Sequence, residues 1–131
     1  MNPATTAVPR FGSVVLDCPD PRALADFYAR LLDWPPTKAG NDDGAADDGD
    51  GWATIEGPGG AMIEFQRAGD YRRPTWPDSE VPQMFHLDLQ VDDLEAAHER
   101  ALEIGAKLLD RQRSFRVYAD PAGHPFCLCQ T

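Results

Sequence analysis

Apolar and polar positions alternate through Ser13-Val-Val-Leu-Asp-Cys-Pro-Asp20 and again through His86-Leu-Asp-Leu-Gln-Val-Asp-Asp93, and each run ends in an aspartate that opens a helical pattern. The two copies keep one constant offset, which carries Ser13 onto His86 and Asp20 onto Asp93. In the first, Asp20 can accept the free N–H groups of a first helical turn, and Pro21 fills the position where a missing donor costs nothing. Leu24, Phe27, Tyr28, Leu31 and Leu32 then recur at spacings of three and four, which predicts one wide apolar face. Trp34-Pro35-Pro36 ends that helix, because a residue before proline is pushed out of the helical region. In the second copy Asp92 or Asp93 is the expected cap, Leu94, Ala97, Ala101, Leu102 and Ile104 the inward face, and Gly105 the terminator. By its spacing from Ala97 and Ala101, His98 is expected to face outward.

Each helix leads to a strand, turn, strand unit. The first runs from Trp52–Glu56 through Gly57-Pro-Gly-Gly60 to Ala61–Gln66, and the second from Phe115–Ala119 through Asp120-Pro-Ala-Gly123 to His124–Cys129. A further short strand is expected over Ala106–Asp110. Here Gly57 corresponds to Asp120 and Glu64 to Cys127, so the second copy is ten residues shorter between helix and hairpin. The extra length of the first copy fits the eleven residues Asn41–Gly51, which carry five aspartates, three glycines and no large apolar side chain. These aspartates lack the ligand register of a calcium loop, and the segment is expected to be a solvated, flexible loop.

The repeat predicts an α+β fold: two βαβββ modules forming an open, curled, eight-stranded mixed sheet around a cavity. Residues 1–10 are expected to be a flexible tail and 11–131 a single domain, with module one at about 11–67, a proline-rich linker at about 68–82 and module two at about 83–131. The linker holds Tyr71, Arg72, Arg73 and Trp76, as a packed connector or as a pocket rim or subunit contact.

Composition narrows the partners. A chain of 131 residues with a formal charge of −10 lacks the clustered Lys and Arg that bind phosphate, so neither nucleic acid nor an anionic membrane is expected. The first residues lack the basic and apolar runs of a secretory signal, and no stretch has the length and apolarity of a bilayer span. Cys18, Cys127 and Cys129 are an odd number without scaffold spacing, which suits a reducing cytoplasm.

Val15-Leu-Asp-Cys-Pro-Asp-Pro21, Phe27-Tyr28, His86-Leu-Asp-Leu, Asp92-Asp-Leu-Glu-Ala-Ala97 and Asp120-Pro-Ala-Gly-His-Pro-Phe-Cys127 stand in an order and spacing that resembles the vicinal oxygen chelate superfamily. That superfamily includes glyoxalase I, bleomycin-resistance proteins and extradiol dioxygenases, and the chain is most similar to its small bacterial glyoxalase-like domains. The resemblance implies a four-point metal site at Ser13, Glu64, His86 and Cys127. Glu64 and His86 match the usual ligand types, whereas Ser13 stands where histidine or glutamine is common and Cys127 where glutamate is usual. A thiolate biases any surviving site toward zinc.

Two functional readings follow from the resemblance, with a third beside them. In the first, the cup binds a small organic molecule without the full metal site, with Glu64, His86 and Ser13 as polar anchors and Trp52, Phe65, Trp76 and Phe126 as walls. In the second, a metal on Glu64, His86 and Cys127 serves a lyase or isomerase of glyoxalase type, with His86 and Glu64 as the catalytic pair. In the third, the protein is a dimeric scaffold. His124, beside the Asp120 turn, is a candidate ligand-binding group or acid–base residue, or else a turn residue bonded to nearby backbone. The expected cofactor is none or a divalent metal, zinc foremost. The expected partners are a small organic molecule and a second copy in a homodimer.

Overall fold

The structure is a computed structural model that describes residue 7 and residues 10–36, 38–39 and 51–130. The acidic segment, apart from Gly51, and nearly all of the expected tail lie outside the described residues.

In chain order the elements are β1 (Val14–Cys18), α1 (Pro21–Leu32), β2 (Lys38–Ala39), β3 (Trp52–Glu56), β4 (Met62–Arg67), β5 (Leu87–Val91), α2 (Leu94–Glu103), β6 (Lys107–Arg111), β7 (Phe115–Ala119) and β8 (Pro125–Gln130). A short 3₁₀ turn, Pro58–Gly60, joins β3 to β4. Both repeat offsets recur in the elements. By the longer one, the first residues of β1 and α1, Val14 and Pro21, map onto those of β5 and α2, Leu87 and Leu94. By the shorter one, Trp52 and Met62, which open β3 and β4, map onto Phe115 and Pro125, which open β7 and β8. The fold is α+β and contains the two βαβββ modules. Their eight strands are bonded as two four-stranded mixed sheets, in the orders β1-β4-β3-β2 and β5-β8-β7-β6. In each, the first strand lies parallel to the last, and the others are antiparallel.

The helices begin as their caps dictate. Asp20 accepts the Ala23 N–H and Asp93 the Ala96 N–H, each at 3.1 Å. Helix α1 stops at Asp33, in the left-handed conformation (φ 57°), just before the proline pair. Gly105 takes a φ of 117° after α2, and the following Ala106 N–H returns to the Ala101 carbonyl.

One core joins the modules. Tyr28 of α1 stacks on Phe65 of β4 and meets Phe126 of β8 edge-on, and Phe126 stacks on Tyr118 of β7. All four rings are fully buried. The Tyr28 hydroxyl donates to Asp120 across 92 residues of chain, at 2.7 Å. Helix α2 corrects the expected face. Leu94, His98 and Ala101 are buried, whereas Leu102 is 42% exposed. His98 points inward because it falls on the same stripe as Leu94 and Ala101, and its Nδ1 meets the Tyr118 hydroxyl at 2.7 Å.

Candidate functional site

Strand alternation divides the expected site residues between two faces. Ile63 and Phe65 of β4, and Phe126 and Leu128 of β8, lie under the helices in the core. Glu64, Cys127 and Cys129, one position along, therefore face the opposite side of their sheets. Phe65 and Phe126 are core residues, not cavity walls: adjacent residues on a strand cannot both face the cup.

On the first sheet, Glu64 is enclosed by donors. The Ser13 hydroxyl donates to its Oε2 at 2.5 Å, while Trp52 Nε1–H and the Thr54 hydroxyl donate to its Oε1 at 2.9 and 3.3 Å. Trp52 and Thr54 stand on β3, in register with Gln66 and Glu64 of β4, so antiparallel pairing brings these groups together. Both carboxylate oxygens are thus engaged by neutral hydrogen-bond donors.

The same positions of the second sheet carry different chemistry. Shifted by the repeat offsets, Ser13, Trp52, Thr54 and Glu64 become His86, Phe115, Val117 and Cys127. Val15 becomes Asp88. Donors are lost and an acid appears on β5. His86 Nε2 lies 3.1 Å from Asp88 Oδ1. Asp88 is the Cα partner of Cys127 across the parallel β5/β8 pair. Ligand atoms of His86, Asp88 and Cys127 all fall within 4.8 Å of one another. Burial pushes the Cys127 thiol up to about 11, and the Asp88 carboxylate adds to the shift. Sequence reasoning passes over Asp88; the signal was the period of two that sets His86 and Asp88 on one face.

A cavity of about 420 Å³ opens over this second sheet. Its walls include Trp76, Phe115, Val117 and Pro125, and its polar groups include His86 and Asp88. Trp76 of the linker is thus a wall residue, in contact with the same space as His86 and Cys127. Ser13, Trp52 and Glu64 are not part of this lining.

His124 belongs elsewhere. Its ring lines a separate cavity of about 310 Å³ with Tyr71, Met84 and Phe85. His124 Nε2 sits 2.6 Å from the Asp17 carbonyl, to which its N–H donates, while its backbone N–H bonds Asp120 Oδ1. The histidine staples the second turn to the first strand.

The profile of the glyoxalase-like domain matches residues 13–129. The chain belongs to this family. That membership places it in the vicinal oxygen chelate superfamily, as the sequence motifs implied. Among curated proteins none matches the sequence. Solved structures share the fold at low identity. A structure described as a possible glyoxalase from Bacillus cereus is 12% identical with a TM-score of 0.66, covering 93% of this chain and 99% of that one. A glyoxalase/bleomycin resistance protein from Albidiferax ferrireducens T118 is 14% identical with a TM-score of 0.64, covering 92% and 98%. TnmS3, an antibiotic-binding protein from Streptomyces sp. CB03234, is 18% identical with a TM-score of 0.61, covering 95% and 97%.

The superfamily's divalent metal can be tested against the four expected positions. Glu64 already accepts from three neutral donors, so a cation there would compete with them for the carboxylate. Ser13 turns its hydroxyl hydrogen toward that same carboxylate. Of the four positions, Ser13 and Cys127 differ from the usual ligand types, and Ser13 and Glu64 are bonded to each other.

Proposed function

We propose that this glyoxalase-like domain binds a small organic molecule in the cavity over its second sheet and does not use the superfamily's four-point metal site. The observation that carries this reading is the cavity itself, of about 420 Å³ and walled by Trp76, Phe115, Val117 and Pro125. Its size and mixed lining are those of small-molecule sites, which combine apolar walls with a few polar groups. Trp76 and Phe115 supply faces for a planar ligand, and His86 and Asp88 the orienting polar groups. The likeness of fold to an antibiotic-binding protein supports the same class of ligand.

The proposed protein is a homodimer of the reducing cytoplasm. Phe11, Met84 and Phe85 are 83%, 89% and 54% exposed, large apolar side chains that self-association would cover. Cys18, Cys127 and Cys129 are all free thiols. Among the described residues no helix is long and apolar enough to cross a membrane. Sedimentation velocity of wild type and a Met84→Glu variant tests the dimer: a wild-type monomer at micromolar concentration rejects it.

Ligand binding is tested by thermal unfolding against a panel of aromatic antibiotics and planar drug-like compounds. A ligand at a hundred times its Kd stabilises the native state by about 2.7 kcal/mol. The expected outcome is a rise in Tm that Trp76→Ala abolishes and Trp52→Phe retains. A stabilising compound whose effect depends on Trp52 and not on Trp76 would place the site on the first sheet and refute the assignment.

A further inference from the structure

We propose that His86, Asp88 and Cys127 form a three-ligand site for a thiophilic divalent cation, with zinc as the biological ion that fits, built on the second module alone. Such a site goes beyond the binding of an organic ligand and holds with or without one.

The chemistry of the donor set comes first. Imidazole, carboxylate and thiolate are the zinc ligand types, and three protein ligands with an open fourth position are the catalytic form of such a site. His86, Asp88 and Cys127 line the cavity bounded by Trp76 and Phe115, which leaves room for a fourth ligand. Geometry agrees. A tetrahedral zinc ion with bonds of about 2.0–2.3 Å needs ligand atoms about 3.3–3.8 Å apart. The three groups already lie within 4.8 Å, and the His86–Asp88 contact is 3.1 Å, so side-chain rotation closes the rest. His86 and Asp88 side chains are 41% and 57% exposed, which gives an ion a path from solvent, while Cys127 is buried at the base.

The comparison between sheets favours Asp88 over Glu64 as the carboxylate ligand. Glu64 has Ser13, Trp52 and Thr54 as hydrogen-bond donors, whereas two of their repeat counterparts around Asp88 are Phe115 and Val117, which have no polar hydrogen to give. Asp88 instead meets the His86 imidazole and the Cys127 thiol, the two groups that would share a cation with it. On binding, the Cys127 S–H bond breaks, its proton passes to solvent and an S–metal bond forms, so one thiol proton leaves for each ion bound.

The test uses the full-length, tag-free protein stripped with chelator and titrated with zinc chloride or cobalt chloride at pH 8. One equivalent of zinc is expected to bind, releasing about one proton, and cobalt is expected to give a thiolate-to-metal charge-transfer band in the near ultraviolet. Cys127→Ser removes that band. Asp88→Asn and His86→Ala weaken zinc binding about tenfold or more, whereas Glu64→Gln and Ser13→Ala leave the affinity within about threefold. Far-ultraviolet circular dichroism checks that each variant is folded, and the exposed position of Asp88 makes Asp88→Asn the decisive one. Failure of zinc and cobalt to bind at micromolar protein, or a cobalt complex without the thiolate band, overturns the proposal. Loss of binding in folded Glu64→Gln also overturns it, because the ion would then sit in the four-point site.

Discussion

Tyr28→Phe probes a buried bond between the two modules. The change removes one hydroxyl and keeps the ring with its contacts to Phe27, Phe65 and Phe126. What is lost is the donor to Asp120 Oδ2 at 2.7 Å, in a pair that is buried on both sides. Asp120 keeps two backbone donors on its other oxygen, from Ala122 and His124. A hydrogen bond to a charged group is worth about 1.5–3 kcal/mol, so a loss of about 2 kcal/mol is expected. At about 2.1 cal/mol/K per residue, a chain of 131 residues unfolds with an entropy near 0.28 kcal/mol/K, and Tm falls by about 7 °C.

The pH dependence gives a sharper check. Burial raises the Asp120 carboxyl above its ordinary value, while the Tyr28 hydroxyl opposes that rise. Removing the hydroxyl lifts the native pKa further, so the variant's native state takes up a proton earlier as pH falls, and that uptake stabilises it. The destabilisation is therefore largest near pH 8 and shrinks toward pH 4.5. Urea unfolding of wild type, Tyr28→Phe, Asp120→Asn and the double variant at both pH values closes the cycle, with a coupling above about 1 kcal/mol expected at pH 8. A Tyr28→Phe cost below about 0.5 kcal/mol, or additive single changes, would refute the argument that this bond between the modules stabilises the fold.

Burial also raises all three tyrosines, Tyr28, Tyr71 and Tyr118, above the ordinary phenol value. A raised phenol stabilises the fold below pH 10 and loses that contribution as pH climbs through the native value, so absorbance at 295 nm should show no step near pH 10 before cooperative alkaline unfolding. Cys18 and Cys127 are pushed from 9.0 to about 11, leaving about a hundredfold less thiolate at pH 8. In metal-free native protein they should react with a disulfide reagent at least that much more slowly than in urea. Gly57→Ala should unfold several degrees lower, since a Cβ there would sit 2.2 Å from the Trp34 ring. Glu64→Leu leaves Ser13, Trp52 and Thr54 without their acceptor and should cost about 1–2 kcal/mol in urea unfolding, whereas Glu64→Gln keeps an acceptor and should be nearly neutral.

What the sequence discloses is governed by range. Helix starts are legible because Asp20 and Asp93 bond N–H groups three residues away, and the repeat is legible because its offsets survive in the chain. Strand face is legible in principle, through the period of two, and the placement of Phe65 and Phe126 in a cup overlooked it. His98 shows the limit of assigning a helix face from small residues: Ala97 and Ala101 sit on either side of the buried stripe's edge. The Tyr28–Asp120 bond and the fit of Trp34 over Gly57 have no local trace. Both depend on how the elements pack, and nothing in the neighbouring residues announces them.

The two modules carry different side chains at matching positions, Ser13 against His86 and Glu64 against Cys127. Every cup-facing position named above has a counterpart in the other module at one of the two repeat offsets, so each substitution can be read against an internal control with the same backbone geometry. In the first sheet the acid stands on β4, and the indole and hydroxyls around it supply the hydrogen bonds that it accepts. In the second the acid has moved to β5, the last strand carries a thiol, and the counterparts of the indole and the threonine hydroxyl are Phe115 and Val117. The Glu64 carboxylate ties β4 to β3 and to Ser13 through three hydrogen bonds. The acid, thiol and imidazole of the second sheet lie close to one another beside a cavity. Under the proposed function, the second sheet, where the indole and threonine donors are replaced, is the half that binds.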